Sequence, residues 1–313
     1  LALLEHNGDL ENKIIIWTTD HCDGFPRGKR SLYDSGIAVP MIIRFPDMRG
    51  AGTVNDDLIT LLDLAPTILS IAGAEPQSYH NGVSFLDENQ TKKSRQYISA
   101  ASGRLDELPD RSRAVRDVRY KYIRNYDSER PLLGPNYYRE NIATMAEIRR
   151  LHKAGSLDPV LQSYLEASRP AEELYDTHND PNELVNLADK IEYREVQLRM
   201  SEALDEWLVS TGDLGVYPEV EMVRSIMWPN GVQPQTAPPI IERYAVGQKK
   251  MVRMRSLTGG ASIGYRLRPT DTKNTDADQE WKLYTTPFEL MAHQTVEAKS
   301  IRYGYRESEV MTK

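Results

Sequence analysis

The stretch TTDHCDGFPRGKRSLYDSGIAVPMIIRFP, residues 18–46, predicts the fold class and the place of the functional site. It starts in a β-branched and aromatic run, KIIIWTT (13–19), and ends in a run bounded by prolines, PMIIRFP (40–46). Short apolar runs of this kind are typical of strands buried on both faces of a parallel sheet. Open α/β sheets bind their ligands at the carboxyl ends of such strands. We therefore expect an α/β fold with a site in the loop after the first strand.

Two adjacent residues of this loop, Asp20 and His21, are candidate metal ligands. Carboxylate and imidazole groups both coordinate metal ions, and neighbouring side chains at a strand end can turn toward one ion. Taken alone, a pair this short fits a turn cap beside an ordinary loop histidine better than a metal site. The residues that follow it shift this balance.

A cluster of cations, RGKR (27–30), follows within ten residues. Gly24 and Gly28 free the backbone for a close approach to a ligand, and Lys29 is a compact donor for an oxyanion. A solvated basic turn is the alternative. A metal ion and a cation at one strand end would together polarise a sulfate or phosphate ester.

The next segment, DLITLLDLAPTILSIAG (57–73), predicts a helix. Asp63 is suited to the N-cap, Pro66 to the first turn and Gly73 to a left-handed C-cap. Asp63 and Pro66 interrupt the apolar run, which is too short to span a bilayer. We expect no insertion into a membrane.

From about residue 94 the pattern changes to alternation. RQYISAASGR (95–104) and SRAVRDVRYKYIRNY (112–126) predict antiparallel strands, with a hairpin turn at DVR. Residues 141–155 and 195–212 have the apolar spacing of amphipathic helices that end in glycine. This part of the chain is therefore expected to be α+β.

Five prolines between residues 213 and 240 predict a linker, and the short strands after it predict a small antiparallel sandwich. Three aromatic residues of the sandwich, Trp281, Tyr284 and Tyr303, fit either its core or a platform for a sugar. The expected divisions are residues 1–92 (α/β), 93–212 (α+β), 213–240 (linker) and 241–313 (all-β sandwich).

The composition limits the class of ligand. Of 313 residues, 39 are Lys or Arg and 46 are Asp or Glu, which gives a net charge of −7. A globally basic surface for nucleic acid is excluded, so an anionic ligand needs a local patch. The single cysteine, Cys22, excludes an internal disulfide. It fits a small space-filling side chain better than a thiol nucleophile, because the adjacent His21 is expected to point away from it and no second catalytic histidine is identifiable by spacing.

The loop, together with LITLLDLAPTILSIAGAEP, RAVRDVRYKYIRNY and PAEELYDTHNDPNELVNLA, resembles the type I sulfatases of the alkaline-phosphatase superfamily, especially the heparan N-sulfatase-like branch. The resemblance covers about residues 1–215. It implies an alkaline-phosphatase-like sheet fragment followed by an α+β subdomain. It also implies hydrolysis of a sulfuric ester or sulfamate on a sulfated carbohydrate, in the periplasm or outside the cell. The tail resembles the β-sandwich appended to some bacterial sulfatases and to chitobiase-like glycosidases.

The resemblance also implies roles for particular residues. Asp20 and His21 match two ligands of a divalent cation, normally calcium, and Lys29 matches the basic residue that contacts the sulfate group. The stretch that folds the loop back beneath the site is matched by Tyr33, Asp34 and Gly36. A segment that borders the substrate pocket is matched by Arg104, Asp106 and Glu107, for which a solvated hairpin connection is an equally good interpretation.

The sequence departs from the family in two ways. The family's nucleophile is a formylglycine made within a C/S-x-P/A-x-R motif, and Cys22 fails that motif because Gly24 stands where Pro or Ala is required. We therefore expect a fragment that is inactive without an N-terminal portion. Cys22 also replaces the usual glycine, and its side chain would strain a turn with positive φ.

The sequence is also compatible with two other functions. The first is a phosphohydrolase or phosphodiesterase of the same superfamily, which would hold two zinc ions instead of one calcium. The second is a non-catalytic glycan-binding protein.

Overall fold

The structure is a computed structural model that describes residues 1–86, 95–104, 106–270 and 280–313. The chain divides into two units by its internal contacts, Leu1–Val216 and Tyr217–Lys313. The predicted division between residues 92 and 93 lies outside the described residues.

The helices of the first unit are short except for two. In chain order they are α1 (Ala2–His6), α2 (Asp34–Ile37), α3 (Leu64–Ile71), α4 (Tyr137–Glu140), α5 (Ala143–Lys153), α6 (Pro159–Ser163) and α7 (Arg194–Thr211). Its strands are β1 (Ile15–Thr18), β2 (Met41–Arg44), β3 (Ile98–Ser102), β4 (Ser112–Arg116), β5 (Tyr120–Asn125) and β6 (Glu172–Asp176). The amphipathic helices predicted at 141–155 and 195–212 are confirmed as α5 and α7.

The strands β1 and β2 form a two-stranded antiparallel sheet in which Ile16 lies opposite Ile43. The expectation that these strands belong to a parallel sheet is therefore wrong. Parallel neighbours are usually joined by a crossover helix, and the connection here, residues 19–40, is long enough for one but contains only the four-residue helix α2. Trp17 and Ile42 are exposed, so these strands are not buried on both faces within the described residues.

The strands β3 to β6 form a four-stranded antiparallel sheet in sequence order. At the predicted turn, the Asp117 carboxylate accepts a hydrogen bond of 2.8 Å from the backbone N–H of Arg119. The backbone N–H of Asp117 donates to the Tyr120 carbonyl at 2.9 Å. The hairpin predicted from the alternation is confirmed.

The two faces of this sheet differ, because successive residues of a strand point to opposite sides. One face, here called the helix face, carries Val115, Tyr122 and Leu174, which pack against Met200 and Leu204 of α7. The opposite face, here called the loop face, carries the polar residues Lys121 and Glu173 together with the apolar members of a second cluster. That second cluster consists of Leu32, Tyr33, Ala114, Ile123 and Tyr175. The loop face therefore supports the segment that follows β1.

The helix α3 begins and ends where the sequence predicts, with Asp63 at the N-cap and Gly73 at φ +72°. However, the Asp63 side chain does not cap α3. Its carboxylate accepts from the backbone N–H groups of Thr60 and Val83, both at 2.8 Å, and pairs with Arg95 at 2.6 Å. This buried carboxylate thus joins three segments of the first unit.

The predicted linker, residues 213–240, contains short helical turns in addition to its prolines. They are the 3-10 turns Leu214–Val216 and Pro229–Gly231, the helix α8 (Glu219–Met222) and the π-helical turn Val223–Met227.

The second unit is built from antiparallel sheets. Its strands are β7 (Ile240–Val246), β8 (Lys249–Arg255), β9 (Ser262–Pro269), β10 (Lys282–Leu283), β11 (Phe288–Glu289), β12 (Gln294–Ile301) and β13 (Met311–Thr312). They pair in the orders β11-β8-β7 and β10-β9-β12-β13. Both sheets contribute to one apolar core, which includes Val252 and Val296.

The three aromatic residues of the second unit have different environments. Tyr284 packs against this core and makes edge contacts with Tyr265 and Phe288. Trp281 has the cations of Arg266 and Lys299 within 4.6 Å and 4.4 Å of its ring centroid. Tyr303 is 90% exposed. The core interpretation is confirmed for Tyr284 and wrong for Tyr303.

Among the described helices, none combines the length and the apolar content that crossing a bilayer requires.

Candidate functional site

The segment after β1 is closed on itself by backbone hydrogen bonds and tight glycine contacts. The Lys29 N–H donates to the Asp23 carbonyl at 2.9 Å. A Cβ at Gly28 would stand 2.5 Å from the same carbonyl oxygen, and a Cβ at Gly36 would stand 2.5 Å from the carbonyl oxygens of Gly28 and Ser31. Only glycine fits both positions, so the loop has little freedom to reorganise.

Asp20 and His21 lie just beyond β1 with their side chains partly in solvent. The carboxylate of Asp20 is 87% exposed, and the imidazole of His21 is 40% exposed. His21 Nδ1 is 2.7 Å from the Cys22 carbonyl oxygen, a contact that requires Nδ1 to carry a proton. In the neutral imidazole Nε2 then has a free lone pair, which is the arrangement of many metal-bound histidines.

The spacing of these two donors fits one shared cation. His21 Nε2 lies 3.6 Å from Asp20 Oδ1. Two ligand atoms at about 2.4 Å from one ion and at right angles are separated by about 3.4 Å. The described residues contain no group of three or more His, Cys, Asp or Glu side chains that could hold a metal ion. Ligation of a metal ion by Asp20 and His21 therefore stays a prediction, and it needs further ligands from outside this set.

Lys29 has no carboxylate partner among the residues that the structure describes. Its ammonium lies 5.4 Å from the ring centroid of Tyr138. A half-buried ammonium without a counter-ion is suited to binding an anion. The structure gives no shared ligand for Lys29, Asp20 and His21, so their convergence on one sulfate stays a prediction.

The predicted substrate-border residues lie in the connection between β3 and β4. Asp106 pairs with Arg30 at 2.5 Å, and Glu107 accepts a hydrogen bond from the backbone N–H of Tyr137 at 2.5 Å. Arg104 donates to the Asp106 carbonyl at 3.4 Å. Arg30 also lies 4.5 Å from the Tyr138 ring. The structure therefore brings Asp106 and Glu107 to the same neighbourhood as Lys29.

A buried ion cluster on the loop face anchors the loop. Lys121 is completely buried, and its ammonium is 2.5 Å from Asp34 and 2.8 Å from Glu183. Glu183 also accepts from the backbone N–H of Asp34 at 2.7 Å. Burial raises the pKa of Glu183, and Lys121 opposes that rise. The supporting role expected for Asp34 thus has a specific partner set.

Tyr33 is fixed in a second polar cluster. Its hydroxyl donates to the buried carboxylate of Glu173 at 2.7 Å, as does the hydroxyl of Tyr175 at 2.5 Å. Asn125 donates to the other oxygen of Glu173 at 2.6 Å. The guanidinium of Arg27 covers the Tyr33 ring at 3.7 Å. Lys121 and Glu173 were not predicted from the sequence. A charged residue on the inward face of a buried strand could have indicated such a cluster.

Cys22 behaves as a packed thiol. Its Sγ lies 3.3 Å from the Ala38 carbonyl oxygen, and burial raises the thiol pKa. Cys22 does not have a positive φ, so the backbone strain considered from the sequence does not occur at this residue. A thiol with a raised pKa is a poor nucleophile.

Comparisons with known proteins relate this chain to enzymes that act on sulfate groups. The model of the family described as N-sulphoglucosamine sulphohydrolase, C-terminal, matches residues 25–132. An ulvan-active sulfatase of Formosa agariphila is 39% identical over 311 residues, 99% of this chain and 51% of that protein. An N-acetylglucosamine-6-O-sulfatase of Bacteroides thetaiotaomicron is 29% identical over 215 residues, 66% of this chain and 32% of that protein.

Among solved structures, a 2-O GAG sulfatase matches this chain with a TM-score of 0.48 and 25% identity over 65% of this chain and 37% of that protein. The chain therefore spans about half, or less, of the length of these relatives.

Proposed function

We propose, from the premise that this chain is related to the C-terminal region of sulfatases, that it forms part of an enzyme that hydrolyses a sulfate ester or sulfamate of a carbohydrate. The similarity to an ulvan-active sulfatase extends over 99% of the chain, and this breadth supports the proposal.

The observation that carries the proposal is that the ammonium of Lys29 is not neutralised within the described residues. Its ammonium lacks a carboxylate partner in the described chain, and it stands on a loop that two buried polar clusters hold in place. A fixed donor of this kind stabilises charge on an oxyanion without reorganising during the reaction. We assign to Lys29 the contact with the sulfate oxygens.

Asp20 and His21 would hold a divalent cation together with ligands from outside the described set. When bound, such a cation withdraws charge from the sulfate oxygens. We propose calcium, following the family resemblance, although the imidazole of His21 is a less usual ligand for calcium than an oxygen donor. His21 is kept in the ligating tautomer by its contact with the Cys22 carbonyl.

The remaining assignments belong to the same proposal. Arg104, Asp106 and Glu107 would border the sugar that carries the sulfate, supported by the contact of Asp106 with Arg30. Residues 1–92 would complete the catalytic α/β domain and residues 93–212 its α+β subdomain. Residues 213–240 would link these to an accessory sandwich, residues 241–313. Sulfated glycans are extracellular, so we place the protein in the periplasm or outside the cell.

The test is the substitution Lys29→Ala in the native polypeptide. We expect sulfate release from a sulfated oligosaccharide to fall about a hundredfold or more, because one electrostatic partner of the reacting group is lost. The matched control is Lys153→Ala, an exposed lysine at the end of α5, which should leave the rate unchanged. Activity that stays within a few-fold of wild type in Lys29→Ala would contradict the role of Lys29.

A further inference from the structure

A cavity of about 260 Å³ beside the loop has an unusual charge balance for this acidic chain. Eight of its lining residues are charged. Two are carboxylates, Asp110 and Glu173, and six are cations: Arg27, Lys29, Arg30, Arg130, Arg139 and Arg169. A cavity with an excess of four positive charges in a protein of net charge −7 has a local potential that favours an anion.

Most of these cations are not neutralised by the protein. Over the described residues, only Arg30 and Arg169 have a carboxylate oxygen within 4 Å, from Asp106 and Asp110. Glu173 receives hydrogen bonds from Tyr33, Tyr175 and Asn125 and so does not pair with a cavity cation.

Among these cations, Arg139 gives the strongest indication that the cavity binds an anion. Its guanidinium donates only to the carbonyls of Leu132 and Gly134, at 3.4 Å and 3.3 Å, and it has no ion pair in the described chain. Burial lowers the pKa of Arg139, and the neighbouring Arg30 lowers it further. Glu140 and Asp110 act in the opposite direction. A half-buried guanidinium near a second guanidinium gains stability when an anion binds beside it.

One side chain links the guanidinium of Arg30 to the backbone of Arg139, and both arginines line the cavity. The amide oxygen of Asn136, which is buried, accepts from the Arg30 guanidinium at 2.8 Å and from the backbone N–H of Arg139 at 3.1 Å. Arg30 and Lys29 in turn lie on the same Tyr138 ring. Lys29, Arg30 and Arg139 are therefore neighbours around one cavity.

The backbone at this cavity adopts an unfavourable conformation. Arg27 and Arg30, which line it, have positive φ, +62° and +78°. Outside its lining, Asp106, the ion-pair partner of Arg30, has φ +53°. Left-handed conformations of such residues cost free energy and cluster at sites with a function. The loop therefore presents its cations in positions that a relaxed turn would not give.

We propose that Arg139, next to the Arg30 that is already paired with Asp106, forms an oxyanion subsite beside Lys29, which recognises a second acidic group of the substrate. The chemistry required of that group is a carboxylate or sulfate that accepts hydrogen bonds from a guanidinium. The substrate class is thus a glycan in which the sulfated sugar has a second acidic group, on itself or on the adjoining sugar. This inference rests on the proposed function for the sulfate at Lys29.

The experiment compares the affinity of three disaccharides by isothermal titration calorimetry. The first carries one sulfate on otherwise neutral sugars, the second carries a further sulfate, and the third has a uronic acid in place of the neutral sugar. We expect wild type to bind at least one of the doubly acidic ligands more tightly than the singly acidic one. Arg139→Gln should lower that affinity about tenfold, because a hydrogen bond from a charged donor is lost, and should leave the singly sulfated ligand unaffected.

Two further variants separate recognition from folding. Arg150→Gln, in the following helix α5 and paired with Glu147 on an exposed surface, should bind all three ligands as wild type does. Arg139→Lys retains the charge and should restore part of the preference. Comparison of the second and third ligands shows whether a sulfate or a carboxylate occupies the subsite.

The outcomes that overturn the subsite differ from those that overturn the function. The subsite is overturned if wild type binds all three ligands with equal affinity, or binds none of them. An equal loss for all ligands in Arg139→Gln overturns it as well. Sulfate release is not part of this measurement, so a preference that depends on Arg139 stands even if Lys29→Ala has no effect on the rate.

Discussion

The two faces of the four-stranded sheet are built from the same four strands but are stabilised in different ways. The helix face is an apolar seam in which Val115, Tyr122 and Leu174 meet α7. The loop face holds its partner through buried charges and hydroxyls, with Lys121 and Glu173 at the centre of two clusters. Apolar packing tolerates small displacements, whereas hydrogen-bonded ion clusters require specific distances. The candidate site lies over the loop face, whose buried ion clusters fix the position of the loop.

The largest expected effect comes from removing the cation of the loop face. Lys121→Met removes the closest cation from Asp34 and from the buried Glu183, and it should lower the free energy of unfolding by about 3–5 kcal/mol. Within the described residues, Asp34 then keeps only the contact of 3.6 Å with Arg116, and Glu183 only the backbone N–H of Asp34. It should also release the loop, which trypsin would then cleave after Arg27, Lys29 or Arg30 under native conditions.

The matched change on the helix face is Leu204→Ala, which removes a fully buried side chain. A cavity of this kind costs about 2–5 kcal/mol, but it should leave the loop resistant to trypsin. Equal rates of loop cleavage in the two variants would break the distinction between the faces.

A smaller effect is expected on the loop face at alkaline pH. Burial raises the pKa of Tyr175, and Glu173 raises it further, so the folded state favours the protonated phenol. This stability is present below the unfolded pKa of about 10 and is lost as the pH rises above it. Tyr175→Phe should cost about 1.5–3 kcal/mol at pH 8, since a hydrogen bond to a carboxylate is lost.

The measurement is urea unfolding between pH 8 and pH 11. The stability of Tyr175→Phe should fall less steeply with pH than that of wild type. Tyr79→Phe, at an exposed position, is the control and should follow wild type. Parallel pH curves for all three proteins would show that Tyr175 does not contribute to alkaline unfolding.

The smallest effect is expected at the rim of the helix face. Asp205 pairs with Arg124 at 2.5 Å, but its side chain is more than half exposed. Exposed pairs contribute less than about 1 kcal/mol, so Asp205→Asn should change the free energy of unfolding by no more than that. A loss near that of Leu204→Ala in thermal or chemical unfolding would mean that charges fix the helix face too.

The sequence predicted the elements that depend on local periodicity. The hairpin at Asp117, the helices α5 and α7 and the end of α3 at Gly73 all follow from alternation, amphipathic spacing or a glycine signal. The direction of the β1–β2 pair was not predictable in this way, because apolar runs of parallel and antiparallel strands look alike.

Only part of the candidate site could be predicted from the sequence, because local patterns do not show which distant residues meet after folding. Asp20, His21 and Lys29 are close in the chain, so their grouping could be proposed from a motif. The partners that fix the loop, Lys121 and Glu183, lie far from it in sequence and meet it only after folding. No local pattern could associate them with Asp34.

The close packing at Gly28 and Gly36 bears on how the specificity of this protein can be altered. Any larger residue there would collide with backbone oxygens, so variant libraries that randomise the whole loop would consist largely of misfolded members. Diversity is better placed at Phe25 and Tyr138, whose side chains are exposed and whose replacement leaves the loop backbone untouched. New substrate preferences should therefore arise from the rim of this loop while its glycines stay constant.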